Sequence, residues 1–142
     1  MSSLNPRKLI ADVRAWCQGA DEILLRRCVS ALYFSLYNYW AELRLRRGRL
    51  ECNDAMNGSL KDDFPHSGFV ADMLRRGLND DIMLLFELRV LADHHVCNPG
   101  LVEIHDKELS RLIKQTRVEL NAGEFERALE SAGRILSSLE AG

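Results

Sequence analysis

Apolar residues recur at helical spacing near the start of the chain. They are Leu9, Ile10, Val13, Trp16 and Cys17. Residues at this spacing lie on one face of a helix, so the pattern predicts an amphipathic helix from about residue 6 to residue 17. Asn5 is a favoured N-cap residue, and Pro6 suits the first helical position. Gly19 ends the pattern, and Asp21 can cap a second helix.

The second predicted helix runs from Asp21 to about Arg47, and its middle has the sequence CVSALYFSLYNYW. This stretch is apolar or aromatic on almost every face, which is typical of a helix at the centre of a domain. We expect its aromatic rings to serve the core or a dimer interface, because stacking on nucleic-acid bases is a rarer use of such dense clusters. The end of the helix is abruptly basic, and Gly48 is a natural stop.

Residues 48–65 carry several turn-forming residues and predict a long loop. A short helix is expected from about Ser67 to Arg76, with Gly77 after it. Asn79 or Asp80 then caps a strongly apolar helix, DIMLLFELRVLADHHV, which stops before the sequence Asn-Pro-Gly at 98–100.

Two further apolar stripes fill the last third of the chain, at 109–120 and at 125–139, on either side of a predicted turn at 121–123. Consecutive amphipathic helices joined by a short turn form an antiparallel hairpin. We find no alternating pattern typical of strands. The sequence therefore predicts one all-α domain over 1–142, an up-and-down helical bundle of five or six helices.

Composition narrows the class of protein. The chain has 142 residues, 46% hydrophobic and 28% charged, with a formal charge of −2, which suits one globular domain. No apolar run approaches the roughly 20 residues that cross a bilayer, and the start does not resemble a secretion signal. We therefore expect a cytoplasmic protein that has no membrane partner.

Four cysteines are present: Cys17, Cys28, Cys52 and Cys97. None forms a C-x-x-C pair, so no zinc or redox motif is visible, and we expect no metal or cofactor. In a cytosolic protein we expect reduced thiols, with Cys17 and Cys28 as small core residues. A disulfide is the less favoured alternative.

Three stretches, SALYFSLYNYWAEL, PHSGFVADML and ELRVLADHHV, follow one another along the chain in the order in which similar stretches occur in a known family. Taken together, they resemble the HEPN family (higher eukaryotes and prokaryotes nucleotide-binding). The first is SALYFSLYNYWAEL, similar to that family's aromatic second helix, which often reads S-R-A-Y-Y-A-M-F-H. The second is PHSGFVADML, similar to K-T-H-S-G-V-x-x-L-F in one HEPN branch, and the third is ELRVLADHHV, similar to that branch's L-R-x-x-A-D-Y. The closing ERALESAGRILSSL resembles the family's last helix. The matching positions are Ser30, Tyr33, Phe34, Tyr37, His66, Ser67, Gly68, Arg89, Ala92 and Asp93.

The resemblance implies a function as well as a fold. Many catalytic HEPN ribonucleases carry Arg, four to six residues and then His, and Arg89 and His94 satisfy that spacing. The sequence departs from the pattern at Val90, where Asn is frequent. Imidazole can move the protons of RNA cleavage near neutral pH, and guanidinium can stabilise the charge on the phosphate. The two side chains lie about 140° apart on a straight helix. A two-fold dimer that faces two such helices brings both pairs into one cleft.

Each candidate residue also has a structural interpretation. Arg89 is four residues before Asp93 and can form an intrahelical salt bridge. His94 and the weaker candidate His95 can be polar residues at a helix end. His66 can be a helix residue or a phosphate contact.

Arginines concentrate at the end of the second helix. The cluster comprises Arg44, Arg46, Arg47 and Arg49, and further pairs occur at 26–27 and 75–76. Arginines at a helix end can contact RNA phosphates, although a solvated face paired with acidic residues is the more usual role of such clusters.

Three functions therefore remain open. The first is a metal-independent endoribonuclease, a toxin or defence effector acting on RNA as a homodimer. The alternative is a non-catalytic HEPN module that binds RNA, a nucleotide or a partner protein. The third is a pure interaction domain that uses its helical surface for dimerisation. Family toxins are often paired with a nucleotidyltransferase antitoxin that modifies a Tyr two residues after the His, and that place is Val96 here.

Overall fold

The computed structural model describes residues 5–47, 66–94 and 120–142. These ranges contain five helices and no strand: α1 (Pro6–Trp16), α2 (Glu22–Arg47), α3 (His66–Arg75), α4 (Asn79–His94) and α5 (Ala122–Ala141). The predicted all-α bundle is therefore confirmed. The predicted loop at 48–65 and almost all of the stripe at 109–120 lie outside the described residues.

The predicted starts of α1 and α2 agree with the observed caps, but the predicted cap of α4 at Asn79 or Asp80 is wrong, because both residues already lie inside that helix. The Asn5 side chain accepts hydrogen bonds from the backbone N–H groups of Arg7 and Lys8, at 3.0 and 3.4 Å, and Pro6 opens α1. Asp21 Oδ1 accepts from the N–H of Leu24 at 2.9 Å, just before α2. Caps of this kind satisfy N–H groups that have no partner within the helix.

The start of α5 corrects one prediction. The chain at 121–123 was expected to form a turn, but α5 already begins at Ala122 and includes Gly123. Asn121 stands outside the helix as its N-cap, with its side chain accepting from the N–H of Glu124 at 2.9 Å. The cap decides the outcome, because an Asn before a Glu three residues later is also a strong helix start.

The core forms where α2, α4 and α5 pack on one another. Helix α1 lies against α2 and α5, and α3 lies against α4 and α2. The largest buried side chains of α2 are those of Leu32, Tyr33, Leu36 and Trp40, each no more than 2% exposed. The prediction that this helix is central is confirmed. Burying each such side chain contributes roughly 1.5–3 kcal/mol.

Two cysteines correct the prediction of reduced thiols. Cys17 and Cys28 form a disulfide between the end of α1 and α2, with their Cα atoms 6.8 Å apart and both residues buried. The bond spans 11 positions of sequence. Closing a loop of this size restricts the unfolded chain and stabilises the fold by roughly 2–3 kcal/mol. Cys52 and Cys97 lie outside the described residues.

A buried carboxylate joins α4 to α5. Asp81 Oδ1 accepts hydrogen bonds from Ser131 Oγ and Arg134 Nε, both at 2.9 Å. This arrangement compensates the cost of burying the charge and fixes the register between the two helices. None of the helices in the described ranges is both long and apolar enough to cross a membrane.

Candidate functional site

Arg89 lies on α4, partly buried, with its guanidinium group against aromatic rings. Its Cζ atom is 5.0 Å from the ring centroid of Phe34, 5.4 Å from that of Tyr33 and 6.0 Å from that of Phe86. Cations over aromatic faces at these distances are attracted by the ring quadrupole. The side chain that the sequence singled out is therefore held in place by three rings from two helices.

His66 meets the same rings from a third helix. It is the first residue of α3, and its ring stacks on Tyr37, with centroids 4.3 Å apart and ring planes inclined by 23°. Its Nδ1 atom lies 3.0 Å from the hydroxyl of Tyr33, and its ring centroid lies 5.9 Å from that of Phe34. Tyr33 and Phe34 thus touch both His66 and Arg89. We refer to the set as the Arg89 cluster: Arg89, His66, Tyr33, Phe34, Tyr37 and Phe86.

Helical spacing explains how each helix contributes to this cluster. Tyr33 and Tyr37 are four residues apart on α2, and Phe86 and Arg89 are three residues apart on α4, so each pair shares a helix face. Only the packing of α3 and α4 on α2 brings the pairs together with His66. Arg89 and His66 were separate candidates in the sequence, and no pattern predicted that they contact the same aromatic rings.

The protonation of the Tyr33 hydroxyl follows from its surroundings. Burial raises the pKa of Tyr33 well above its usual value, against an opposing effect of the Arg89 charge. Burial also raises the pKa of Tyr37. Both phenols therefore keep their protons at neutral pH. The Tyr33 hydroxyl and Nδ1 of His66 share one hydrogen bond, in which the imidazole tautomer decides which group is the donor.

The end of α4 is fixed by an arginine from α2. Arg26 Nη1 donates to the carbonyl oxygens of Leu91 and Ala92, at 2.9 and 3.3 Å. Carbonyl groups in the last turn of a helix have no partner within it, so this contact caps α4. Arg26 also pairs with Glu22 at 2.9 Å. The sequence noted Arg26 as part of a basic pair, but the cap was not predictable from it.

His94 is the last residue of α4, so Arg89 and His94 lie on one helix as predicted. The side chains of His94 and Asp93 are outside the described part of the structure, as is the whole of His95. The predicted Arg89–Asp93 salt bridge and the predicted dimer cleft lined by Arg89 and His94 therefore stay predictions.

The arginines predicted to form one cluster at the end of α2 make different contacts in the structure. Arg44 packs on Trp40, with Cζ 5.0 Å from the ring centroid. Arg46 instead pairs with Glu42 on its own helix, at 2.5 Å. The Arg47 side chain and all of Arg49 lie outside the described residues. Arg44 and Arg46 thus differ in their contacts, although the sequence grouped them.

Arg44 faces an open pocket with a volume of about 320 Å³. The lining residues come from α2, α5, α3 and the turn after α3: Trp40, Leu43, Arg44, Asp72, Arg76 and Leu139. We call it the Arg44 pocket. Asp72 Oδ2 accepts a hydrogen bond from Trp40 Nε1 at 3.0 Å, and Arg75 and Arg76 each approach Asp72 to 3.5 Å. Sequence reasoning missed Asp72, although its spacing to the arginines is the usual one for intrahelical ion pairs.

Arg76 holds the end of α5 much as Arg26 holds the end of α4. Its Nη1 atom donates to the carbonyl oxygen of Ser138 at 2.9 Å and to Ser138 Oγ at 3.2 Å. The turn at Arg76 is itself well defined, because Leu78 N–H bonds to the carbonyl of Met73 and Gly77 N–H to that of Leu74. Gly77 has φ +79°, the left-handed conformation that glycine adopts readily after a helix.

Among the residues that the structure describes, no three His, Cys, Asp or Glu side chains are grouped so that they could hold a metal ion. Comparisons with protein-family models, curated proteins and solved structures find no match.

Proposed function

We propose that this protein is a metal-independent endoribonuclease of the HEPN type, in which Arg89 and His94 act on RNA. The observation that supports the proposal best is the Arg89 cluster. An arginine, a histidine and a protonated tyrosine hydroxyl meet at shared aromatic rings, and the arginine lies on the helix that ends at His94. Guanidinium and imidazole are the groups that charge stabilisation and proton transfer at a phosphodiester require.

In the proposed reaction the ribose 2′-oxygen attacks the adjacent phosphorus and the bond to the 5′-oxygen breaks. A neutral His94 takes the 2′-OH proton, while Arg89 stabilises the negative charge on the phosphate oxygens. The departing 5′-oxygen receives a proton from a second, protonated imidazole. The products are a 2′,3′-cyclic phosphate and a 5′-hydroxyl. A homodimer with α4 beside its two-fold axis supplies that second imidazole from the His94 of the other copy.

We assign His66 a supporting role in this site. Tyr37 stacks on the imidazole and the Tyr33 hydroxyl lies 3.0 Å from its Nδ1, so the two tyrosines hold the His66 ring in one orientation. An imidazole N–H, in a cluster that also holds the Arg89 guanidinium, suits a non-bridging phosphate oxygen. His66 would then bind or position RNA, and its loss should weaken binding more than it slows bond cleavage.

The test is cleavage of single-stranded RNA in EDTA by the purified full chain. We expect 2′,3′-cyclic phosphate ends and no cleavage of DNA, which lacks the nucleophile. Arg89→Ala and His94→Ala should each lower activity about 10²-fold or more. Arg127→Ala is the matched control, since Arg127 is an exposed arginine paired with Glu124 on α5. Folding of each variant is checked by circular dichroism.

The ribonuclease proposal is contradicted if wild-type protein does not cleave RNA, or if His94→Ala is as active as wild type. Sedimentation adds an independent test, because a site shared between two copies requires dimers at tens of micromolar protein, an order of magnitude at which a standard interface is filled. If the protein cleaves RNA but stays strictly monomeric, the second imidazole does not come from the His94 of another copy.

One observation favours a second candidate, a non-catalytic module that binds RNA, a nucleotide or a partner protein. Arg89 and His66 both make contacts that a purely structural role explains, since rings surround the guanidinium and Tyr33 holds the imidazole. This candidate predicts RNA or nucleotide binding with no cleavage under any of the conditions above. A toxin with an antitoxin partner, such as a nucleotidyltransferase, fits the first candidate and is tested by whether the partner suppresses cleavage.

A further inference from the structure

The Arg44 pocket combines charge, hydrogen-bond donors and an apolar wall. Two guanidinium groups and one carboxylate line it, from Arg44, Arg76 and Asp72. The side chains of Leu43 and Leu139 supply the apolar part. Its volume of about 320 Å³ is in the lower part of the range for small-ligand sites, which suits one nucleotide.

The single carboxylate is already engaged by the protein. Asp72 Oδ2 accepts from the Trp40 indole at 3.0 Å and lies 3.5 Å from Arg76 Nε, while Oδ1 lies 3.5 Å from Arg75 Nη2. Arg75 therefore adds a further positive charge beside the pocket. The excess of guanidinium groups over carboxylates makes the local charge positive, although the whole chain carries −2.

Arg44 is the side chain best placed to receive an anion. It is exposed, and in the described parts of the chain its guanidinium contacts the Trp40 ring but no carboxylate. Packing on the ring holds the guanidinium plane while its N–H groups stay free to donate to a ligand. Arg46, two residues on, differs in this respect because Glu42 already neutralises it.

Arg76 completes the pair of donors from another part of the fold. Ser138 anchors Nη1, and Asp72 lies near Nε. In the described ranges no acceptor contacts Nη2 of Arg76. The guanidinium group is therefore held in position and can still donate hydrogen bonds from Nη2 to a ligand. A pre-positioned guanidinium loses little conformational entropy when it binds a second anion.

We propose that the Arg44 pocket is a phosphate-binding site, in which Arg44 and Arg76 donate to the oxygens of one phosphate ester. The phosphate belongs either to an RNA backbone or to a free nucleotide, and its sugar or base contacts Leu43 and Leu139. The assignment to RNA rests on the proposed function, whereas the phosphate chemistry rests on the pocket alone. The site lies apart from Arg89 and brings together Arg44 and Arg76, two arginines that are far apart in the sequence.

The test measures binding separately from cleavage. The full chain is titrated with a short single-stranded RNA carrying 2′-O-methyl groups, which has no free nucleophile, and in parallel with adenosine 5′-monophosphate and adenosine. We expect Arg44→Gln to weaken binding of the phosphate-bearing ligands about tenfold, as the loss of a charge-assisted hydrogen bond implies. Arg46→Gln is the matched control on the same helix and should change affinity less than about twofold.

Two further measurements distinguish the pocket from general charge. Losing one phosphate contact should reduce the dependence of log K on log salt by about 0.7 for single-stranded RNA. Arg44→Lys keeps the charge but not the planar fork, so its affinity should fall between those of wild type and Arg44→Gln. Melting temperatures of all variants within a few degrees of wild type confirm that the pocket itself is intact.

Weakening of both ligands by Arg44→Gln supports the proposal, and weakening of one alone identifies the source as RNA backbone or free nucleotide. The proposal is overturned if wild type binds neither ligand better than adenosine, or if Arg44→Gln binds like wild type. It is also overturned if Arg46→Gln loses as much affinity as Arg44→Gln. If the protein binds phosphate-bearing ligands but does not cleave RNA in EDTA, the proposed ribonuclease function is wrong, whereas the proposed phosphate site in the Arg44 pocket is supported.

Discussion

The Arg89 cluster and the Arg44 pocket are built on the same helix with the same kind of contact. In each, a guanidinium group lies about 5 Å from aromatic rings of α2, with Phe34 and Tyr33 on one side and Trp40 on the other. The two regions are joined through Tyr37, whose ring lies 4.3 Å from His66 and 6.0 Å from Trp40. They differ in exposure, since Arg89 is partly buried and Arg44 is exposed.

This difference in exposure changes what the same contact does. A partly buried guanidinium has lost much of its hydration, so its attraction to the rings contributes more to stability. An exposed guanidinium gains little from the ring but keeps donors for a ligand. The comparison predicts that changes near Arg89 affect folding and activity together, whereas changes at Arg44 affect binding and leave folding almost unaltered.

The largest effects should come from removing the rings beneath the arginines. Trp40→Ala and Tyr33→Ala each delete a buried ring and a hydrogen bond, and should each cost about 3–5 kcal/mol in the free energy of unfolding. Trp16→Ala is the matched control, because Trp16 is 60% exposed, and its cost should be within about 0.5 kcal/mol. Urea unfolding measures all three. A Trp40→Ala cost as small as that of Trp16→Ala would show that the two regions do not share the core.

The next largest loss of stability should come from substituting the two arginines that cap other helices. Arg26→Met and Arg76→Met remove hydrogen bonds to the last carbonyls of α4 and α5, and each should cost about 1–3 kcal/mol. Amide hydrogen exchange should rise first in the last turn of the helix that loses its cap. Arg127→Met, at an exposed ion pair, should change stability by less than about 1 kcal/mol. Equal effects of all three substitutions would rule out capping as the cause.

A smaller effect on the free energy of unfolding should come from removing the guanidinium group of Arg89 or Arg44. Methionine keeps most of the aliphatic stem and removes the charge. Arg89→Met should cost about 1–2 kcal/mol because it removes a guanidinium from three rings, whereas Arg44→Met should cost about 0.5 kcal/mol at its exposed ring. Chemical denaturation measures both. If Arg44→Met proves the more costly, exposure is not what separates the two regions.

The smallest effect concerns the hydroxyl of Tyr33. Tyr33→Phe keeps the ring and removes the hydrogen bond to His66, so it should cost about 1 kcal/mol. Tyr39→Phe is the control, on the same helix but with a partly exposed ring, and should be nearly neutral. Thermal unfolding of both variants decides whether the bond contributes.

Alkaline pH gives the same hydroxyl a second test. Folding raises the pKa of Tyr33, so the folded protein holds this proton more tightly than the unfolded chain does. The resulting stability is complete below the ordinary tyrosine pKa of about 10 and is lost as the pH rises through the higher folded value. Stability of wild type should therefore fall more steeply above pH 10 than that of Tyr33→Phe. Identical pH profiles would contradict the burial of this phenol.

Local patterns were sufficient for most of the helices. Periodic apolar residues and the caps at Asn5 and Asp21 predicted α1 and α2 nearly to the residue, because helix starts depend on neighbours in sequence. The apolar character of α2 on almost all faces predicted its central place. Two local predictions were wrong within the described residues: the turn at 121–123, where cap and turn signals overlap, and the cap at Asn79 or Asp80, since both residues already lie inside α4.

The sites required the tertiary structure. Periodicity shows which face of a helix is buried but not which other helix covers it, so the sequence named Arg89, His66 and Arg44 without their partners. The contacts that define the two regions join positions far apart in the chain, 33 with 66 and 76 with 138. The pairing of Cys17 with Cys28 likewise depends on how α1 lies against α2. The sequence alone determined the helices and their buried faces, because these follow from local geometry. Only packing decided which arginine is held among rings and which one faces an open pocket.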